Sequence, residues 1–299
     1  QSMMSNGINL NDDWLNLFLK YNISIGVSYD VFTQEDTRNK SGQEKYAYAE
    51  QPTIRQEERI PSRVDIFNTL KYFKEKTSIG TINVITNKNC HRLIETYEIY
   101  KQNGIGTCMN TLFKTAATES NELSLDPEIY AEEFLKYFKH WLYDPRGVYE
   151  RSAMEALGYV IGSNEASCTH QDCRRQWLGF NPAGQIYPCD RYYPDRYKCG
   201  HLDDFNSVEE IFSSEGYRLY YKEVQERFDN HCQPCGYWEY CKGGCNATVV
   251  EEAGSASGVS ESSCVAFKLI YNGVYKILRD VSLIDDEILL NPVAHNFMI

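Results

Sequence analysis

The sequence predicts an α/β chain whose first half alternates strands with helices and whose second half is organised by cysteine. Three observations carry this. Strand-like and helix-like segments follow one another to about residue 161; only Cys90 and Cys108 precede residue 168; and the other nine of eleven cysteines lie between 168 and 264. Strand–helix–strand order implies parallel strands joined by crossover helices.

In the first half, MMSNG reads as the end of a strand with nothing before it, so this half is expected to be incomplete at its N-terminus. Asp12 is placed to cap a helix carrying Trp14, Leu15, Phe18 and Leu19 at helical spacing. Ile23 to Tyr29 is a short buried-strand candidate, and Thr33 to Arg59 is too charged for a core. Ser62 is placed to cap a helix with Ile66, Phe67, Leu70 and Phe73 on one face. Thr81 to Ile85 reads as a strand, Cys90 to Gln102 as a helix and Gly106 to Phe113 as a strand. Asp126-Pro127 opens a helix to about Leu142, with the proline in the first turn where its missing N–H costs nothing. A further helix runs from about Val148 to Ile161.

The second half has little regular periodicity. Asn181 to Cys189 (NPAGQIYPC) reads as a turn and a short strand, and Ser207 to about Phe228 as a helix. Glu251 to Ser263 reads as a loop, and Val265 to Leu278 resumes a helical period.

Apolar residues at 42% and charged residues at 24% are those of an ordinary globular protein. No apolar run has the length of a membrane span, the first residues lack the build of a signal peptide, and a cytoplasmic protein is expected. A net charge of −12 without Lys/Arg clusters argues against nucleic acid as a partner.

His231 to Cys245 (HCQPCGYWEYCKGGC) holds Cys-x2-Cys-x5-Cys-x3-Cys. Alone, this fits one structural zinc site as well as anything else. Upstream, however, stands Cys168-x4-Cys173-x10-Gly184-x4-Cys189, and downstream Cys264, so eight cysteines supply two sets of four. A 4Fe–4S cluster takes four thiolates.

This string resembles the SPASM domain of radical S-adenosylmethionine (SAM) maturases over residues 168 to 264, with every ligand position filled. The resemblance implies two auxiliary 4Fe–4S clusters with interleaved ligands: Cys168, Cys173, Cys189 and Cys245 on one, and Cys232, Cys235, Cys241 and Cys264 on the other. The first half agrees. MMSNGINLNDDW resembles the end of the third strand of the (β/α)6 radical SAM barrel, and GVSYD resembles its fourth-strand SxDG motif. Ser28 then stands where the family contacts SAM, and Arg38 near where related maturases place a SAM-binding arginine, although Val31 replaces the motif's glycine. The fold expected is the C-terminal half of a partial barrel, strands four to six, over 1–147, a SPASM domain over 148–280 and a tail over 281–299.

The departures are absences. Neither the Cys-x3-Cys-x2-Cys that binds the SAM-cleaving cluster nor a Gly-Gly-Glu-Pro-type motif is present in these residues. The sequence is expected to start after the first three strands, so SAM and a third 4Fe–4S cluster belong only to a full-length enzyme. A half-barrel on its own would expose a sheet edge, an aggregation liability.

Asp190 follows Cys189 in YPCD. In the anaerobic sulfatase-maturating branch an aspartate here is the base that deprotonates the substrate's Cys or Ser while a SAM-derived radical removes a Cβ hydrogen. The resemblance therefore implies formylglycine formation on a sulfatase, with peptide thioether or carbon crosslinking beside it, anaerobic conditions, a peptide or protein substrate, and an electron donor such as flavodoxin or ferredoxin. A solvated turn is the bland reading of Asp190. The competing class is a non-catalytic Fe–S or zinc-binding peptide-recognition module. Cys90 and Cys108 read as small buried hydrophobes and Cys199 as a bystander; the six histidines show no ligand spacing, and packing accounts for most of the 23 tyrosines.

Overall fold

The computed structural model describes residues 2–7, 10–33, 63–113, 122–162, 168–191 and 194–282. The Thr33–Arg59 loop beyond Thr33, the Ser62 cap, Arg38 and the tail beyond Ser282 lie outside the described residues. The chain forms two compact units, one holding Gln1–Leu112 and Glu133–Met154, the other Phe113–Glu132 and Glu155–Ser282.

In the first unit, β1 (Ser2–Ser5), β2 (Ser24–Ser28), β3 (Ile79–Ile85) and β4 (Gly106–Thr111) form one parallel sheet in chain order. Helices α1 (Asp12–Tyr21), α2 (Arg63–Lys74) and α3 (Leu93–Gln102) lie between successive strands, with a 3-10 turn over Cys90–Arg92 leading into α3. The strand end expected in MMSNG is thus a strand paired from Ser2↔Ser24 to Ser5↔Val27. Side chains alternate between the faces of a sheet. One face carries Ile25, Val27 and Ile79, which pack with Leu15, Phe18, Ile66, Leu70, Phe73 and Tyr100 from the helices. On the other face Met4, Gly26, Gly80 and Gly106 share a row, followed by Ser28, Ile82 and Cys108.

Two helix details differ from expectation. The cap of α1 is Asn11, whose Oδ1 accepts from the backbone N–H of Asp13 (3.1 Å) and Trp14 (3.2 Å). Of the four apolar positions, Leu15 and Phe18 are buried, whereas Trp14 and Leu19 are exposed.

The expected Asp126-Pro127 start holds for α4 (Pro127–Leu142), where Asp126 Oδ1 accepts from Glu128 and Ile129 N–H at 3.0 Å. Next, α5 runs over Arg151–Ile161, shorter at its start than expected. Glu150 precedes it, fully buried, and accepts from Tyr137 Oη (2.6 Å), Ala153 N–H (2.8 Å) and Ser152 N–H (3.0 Å).

The second unit has a small antiparallel sheet of β5 (Gly179–Phe180), β6 (Gln185–Tyr187) and β7 (Gly200–His201). The turn before β6 is built by Asn181, whose Oδ1 accepts from Ala183 and Gln185 N–H, and by Gly184 at φ +76°. The helix expected over 207–228 is two: α6 (Val208–Phe212), capped by Ser207, and α7 (Glu215–Arg227), capped by Ser214. After a π-turn over Phe228–Cys232 come α8 (Trp238–Cys241), α9 (Asn246–Ala253) and α10 (Glu261–Ser282). Helix α9 was not expected; it occupies the first residues of the expected 251–263 loop. Among the described residues no helix is long and apolar enough to cross a membrane.

Glu150→Ala is expected to cost about 2–3 kcal/mol, because it strips an acceptor from several buried donors at once. A denaturant midpoint unchanged from that of the parent chain would contradict this.

Candidate functional site

The sulfur groups arise from local structure first. The π-turn ends on Cys232, and Cys235 follows in a tight turn, its N–H donating to the Cys232 carbonyl at 3.0 Å. Cys241 closes α8, after which Lys242, Gly243 and Gly244 take positive φ values of 48°, 89° and 70° before Cys245. Gly243 is required twice over: its backbone is left-handed, and a Cβ there would sit 2.4 Å from the Phe228 ring. Cys264 lies in the first turn of α10, its N–H bonded to the Ser260 carbonyl.

Cys232, Cys235, Cys241 and Cys264 all line one cavity of about 410 Å³, together with Arg227, Trp238 and Tyr271, and Cys245 reaches the same cavity. Burial pushes the Cys241 thiol up to about 12, and neighbouring Cys264, Cys232 and Cys235 add to the rise. Burial also raises Cys264, with Cys232 and Cys235 adding to it. Cys232 is raised by burial and partly restrained by the Arg227 guanidinium.

Cys168, Cys173, Cys189 and Cys245 form the other neighbourhood. Burial carries Cys173 to about 11, with Cys245 and then Cys168 contributing. Cys189 rises to about 12 through burial, with Asp190 and Cys245 adding to it. Cys245 acts on Cys173 and Cys189, and Cys241 is acted on by Cys264, Cys232 and Cys235, while both Cys241 and Cys245 line the one cavity, so the two groups adjoin at Cys241 and Cys245.

A thiolate in such a place is costly unless a cation accompanies it. Tetrahedral zinc, with Zn–S near 2.3 Å, needs sulfurs roughly 3.8 Å apart. Among the described residues no three His, Cys, Asp or Glu side chains converge as ligands of a single ion. A 4Fe–4S cluster places each thiolate on a separate iron, so its four ligands stand around a volume rather than on one point, and the cysteines here line a cavity.

Polar groups approach the sulfurs. Arg191 Nη1 donates to Cys245 Sγ (3.6 Å) and Thr248 Oγ1 (3.0 Å), while Nη2 pairs with Glu251 at 2.5 Å. Asn246 Nδ2 donates to Cys173 Sγ at 3.4 Å. Asp190 is exposed, and its Oδ1 accepts from the Cys189 thiol at 3.1 Å. Strand β5 passes so close to this pair that a Cβ on Gly179 would lie 2.0 Å from the Cys189 carbonyl oxygen and 2.7 Å from Asp190 N.

In the first unit, Ser28 ends β2, half-buried on the sheet face away from the helices, in register with Ile82. The residues after it are tied to β3: Val84 N–H donates to Asp30 Oδ1 (2.6 Å), and Val31 N–H to Asn83 Oδ1 (3.0 Å). Val31, in place of the motif's glycine, needs no left-handed backbone and is a core residue. Arg38 lies outside the described residues. Cys90 and Cys199 are buried, Cys199 in the apolar core of the second unit; Cys108 is only half-buried, its Sγ 3.4 Å from Asn110 Oδ1.

Three residues near the sulfurs escaped the sequence reading: Arg191, Asn246 and Arg227. The first two stand within two residues of an expected ligand, which is the signal that marks them. Arg227 falls in the periodic series Tyr217, Tyr220, Val224, Arg227, where a charge on an apolar helix face is the anomaly to notice.

No family model matches the chain. A cysteine-type anaerobic sulfatase-maturating enzyme of Clostridium novyi (strain NT) is 25% identical to it over 282 residues, covering 90% of this chain and 70% of that protein. The chain is a homologue of the anaerobic sulfatase-maturating enzymes. Solved structures agree at the level of fold: native anSMEcpe with bound AdoMet superposes with a TM-score of 0.72 at 19% identity, covering 94% of this chain and 74% of that one. Native anSMEcpe with bound AdoMet and Cp18Cys peptide gives 0.70 at 18% identity, covering 99% and 76%. Like these sulfatase-maturating enzymes, the chain has an α/β fold.

Gly179→Ala is expected to destabilise the chain by about 1–3 kcal/mol, since backbone rather than a movable side chain stands in the way. Gly106→Ala, where nothing lies within 4 Å, serves as the reference. Equal thermal midpoints for the two variants would contradict the close approach.

Proposed function

We propose that the chain is the auxiliary-cluster-bearing part of a radical SAM/SPASM enzyme that converts a Cys or Ser side chain of a sulfatase to formylglycine. Residues 1–147 are read as part of a (β/α)6 barrel, a reading supported by four parallel strands in chain order. Residues 148–280 are read as the SPASM domain. The observation that supports the proposal is that the cysteines gather in two adjoining neighbourhoods that meet at Cys245, with a carboxylate beside one of them.

In this reading Cys168, Cys173, Cys189 and Cys245 hold one 4Fe–4S cluster, and Cys232, Cys235, Cys241 and Cys264 hold the other. When bound, SAM with its own cluster supplies hydrogen-atom abstraction, and the auxiliary clusters supply a one-electron acceptor. The chain's own residues position substrate and move a proton. Trp177 and Phe180, 54% and 56% exposed, flank Gly179, whose backbone touches Cys189 and Asp190, and offer apolar surface to a peptide. Asp190, exposed at that edge, takes the proton of the substrate thiol or hydroxyl, and Ser28 and Arg38 are the residues that would hold SAM. Removal of one hydrogen atom, one proton and one electron takes a Ser side chain to the aldehyde and a Cys side chain to the thioaldehyde, which water then hydrolyses to the aldehyde with release of hydrogen sulfide.

Anaerobic reconstitution is expected to give about eight iron and eight sulfide per chain, as two 4Fe–4S clusters require. A preparation that takes up only zinc refutes the proposal. Lacking Cys-x3-Cys-x2-Cys, the 299 residues by themselves are expected to yield no 5′-deoxyadenosine from SAM and reductant. In the full-length enzyme, Asp190→Asn is expected to slow formylglycine formation by about 10²–10⁴-fold at unchanged iron content. An undiminished rate removes Asp190 from the base role.

A further inference from the structure

Arg227 is 1% exposed and ends α7 five residues before Cys232. A guanidinium is always charged and only donates. Among the described residues it makes no ion pair; Asp172 lies within its field but is already paired to Arg174 at 2.6 Å. Its Nη1 donates to the Ala256 carbonyl at 3.3 Å and its Nη2 to Asn246 Oδ1, while its buried Nε–H has no partner. The same side chain lines the cavity of the Cys232 group and acts on the Cys232 thiol. A buried cation without a counter-charge costs several kcal/mol, so a negative charge is missing from this inventory.

Asn246 completes the arrangement. Its oxygen accepts from Arg227, and its Nδ2 donates to Cys173 Sγ (3.4 Å) and to Tyr220 Oη (2.7 Å). Rotating the amide by half a turn would set its N–H groups against the donors of Arg227, so the arginine fixes which atom faces the sulfur. One buried cation therefore lies beside the first sulfur group and orients a hydrogen bond to the second.

We propose that Arg227 is the counter-charge of the cluster on Cys232, Cys235, Cys241 and Cys264, and that through Asn246 it also tunes the cluster on Cys168, Cys173, Cys189 and Cys245. This rests on the cluster reading above. Cation charge and N–H donation to ligand sulfur both stabilise a cluster's reduced, more negative state, so both raise its potential. Arg227 and Asn246 are positioning residues that set two potentials together and act on no substrate atom.

The test is redox titration of the reconstituted 299-residue chain, followed by electron paramagnetic resonance, with iron content and thermal midpoint as controls. Arg227→Gln is expected to shift both reduction steps to more negative potential, and Arg227→Lys to return the step of the Cys232 group toward the parent value. Asn246→Asp, which removes the N–H from Cys173 Sγ and sets a carboxylate against Arg227, is expected to shift both steps to more negative potential; it also carries the test if Arg227→Gln fails to fold. Two clusters with parent potentials in Arg227→Gln and Asn246→Asp, at full iron content, overturn the proposal and leave the cluster reading standing. A parent chain that binds no iron removes the cluster reading itself, and this inference with it.

Discussion

Arg227 can donate hydrogen bonds but never accept them, and that polarity propagates through the second unit. It holds the Asn246 oxygen toward α7, which leaves the Asn246 nitrogen to Cys173 and Tyr220. Tyr217, Tyr220 and Val224 share the buried face of α7, so one helix presents both the apolar core and the charge at its end. Directly beyond Arg227 the helix widens into the π-turn that delivers Cys232, a distortion that often marks functional sites. On the other side, Asn246 is the first residue of α9 and the next after Cys245. The Cys232 and Cys173 neighbourhoods thus meet at a polar junction inside an otherwise apolar core.

The sequence made some of this legible for identifiable reasons. Short Cys spacings survive any error in secondary structure, because chain connectivity alone keeps such thiols near one another. The strands were legible because three of them are compact β-rich runs, and β1 because MMSNG breaks off at Asn-Gly. Less was visible where several residues compete for one role. In the run Asn11-Asp12-Asp13 any member is chemically fit to cap α1, and only backbone geometry selects Asn11. Four apolar positions on α1 span too wide an arc for all to be buried, so Trp14 and Leu19 stay out. The division of 207–228 into α6 and α7 turns on Ser214 acting as a cap, a role a serine within a helical period does not advertise.

Helix α9 was hidden for an opposite reason. Asn246-Ala247-Thr248-Val249-Val250 is poor in helix formers, and β-branched residues lower propensity further. Tertiary packing overrides this: Ala247 and Val250 enter the core, Thr248 bonds Arg191, and Gly254 ends the helix in a left-handed conformation. The candidate site followed the same rule. Residue types that bind metal announce themselves by spacing, whereas the groups that polarise them, Arg191, Arg227 and Asn246, are ordinary polar residues until the fold carries them to a sulfur.

The second unit also shows why its sulfur groups matter to the fold. Its sheet consists of strands of two, three and two residues, far too short to stand alone. What aligns them is local and specific: the Gly179 backbone against Cys189, and the His201 ring against the Ala183 carbonyl at 2.9 Å. Because Asp203 N–H donates to His201 Nδ1, the ring proton sits on Nε2 and is given to that carbonyl. One strand contact therefore runs through the backbone of a cysteine whose thiol burial has pushed up to about 12. A ligand that accepts that sulfur as thiolate exchanges an expensive buried anion for a bond and so stabilises the neighbouring strands. In the proposed cluster reading, loading of the sulfur groups therefore adds to the stability of this short sheet.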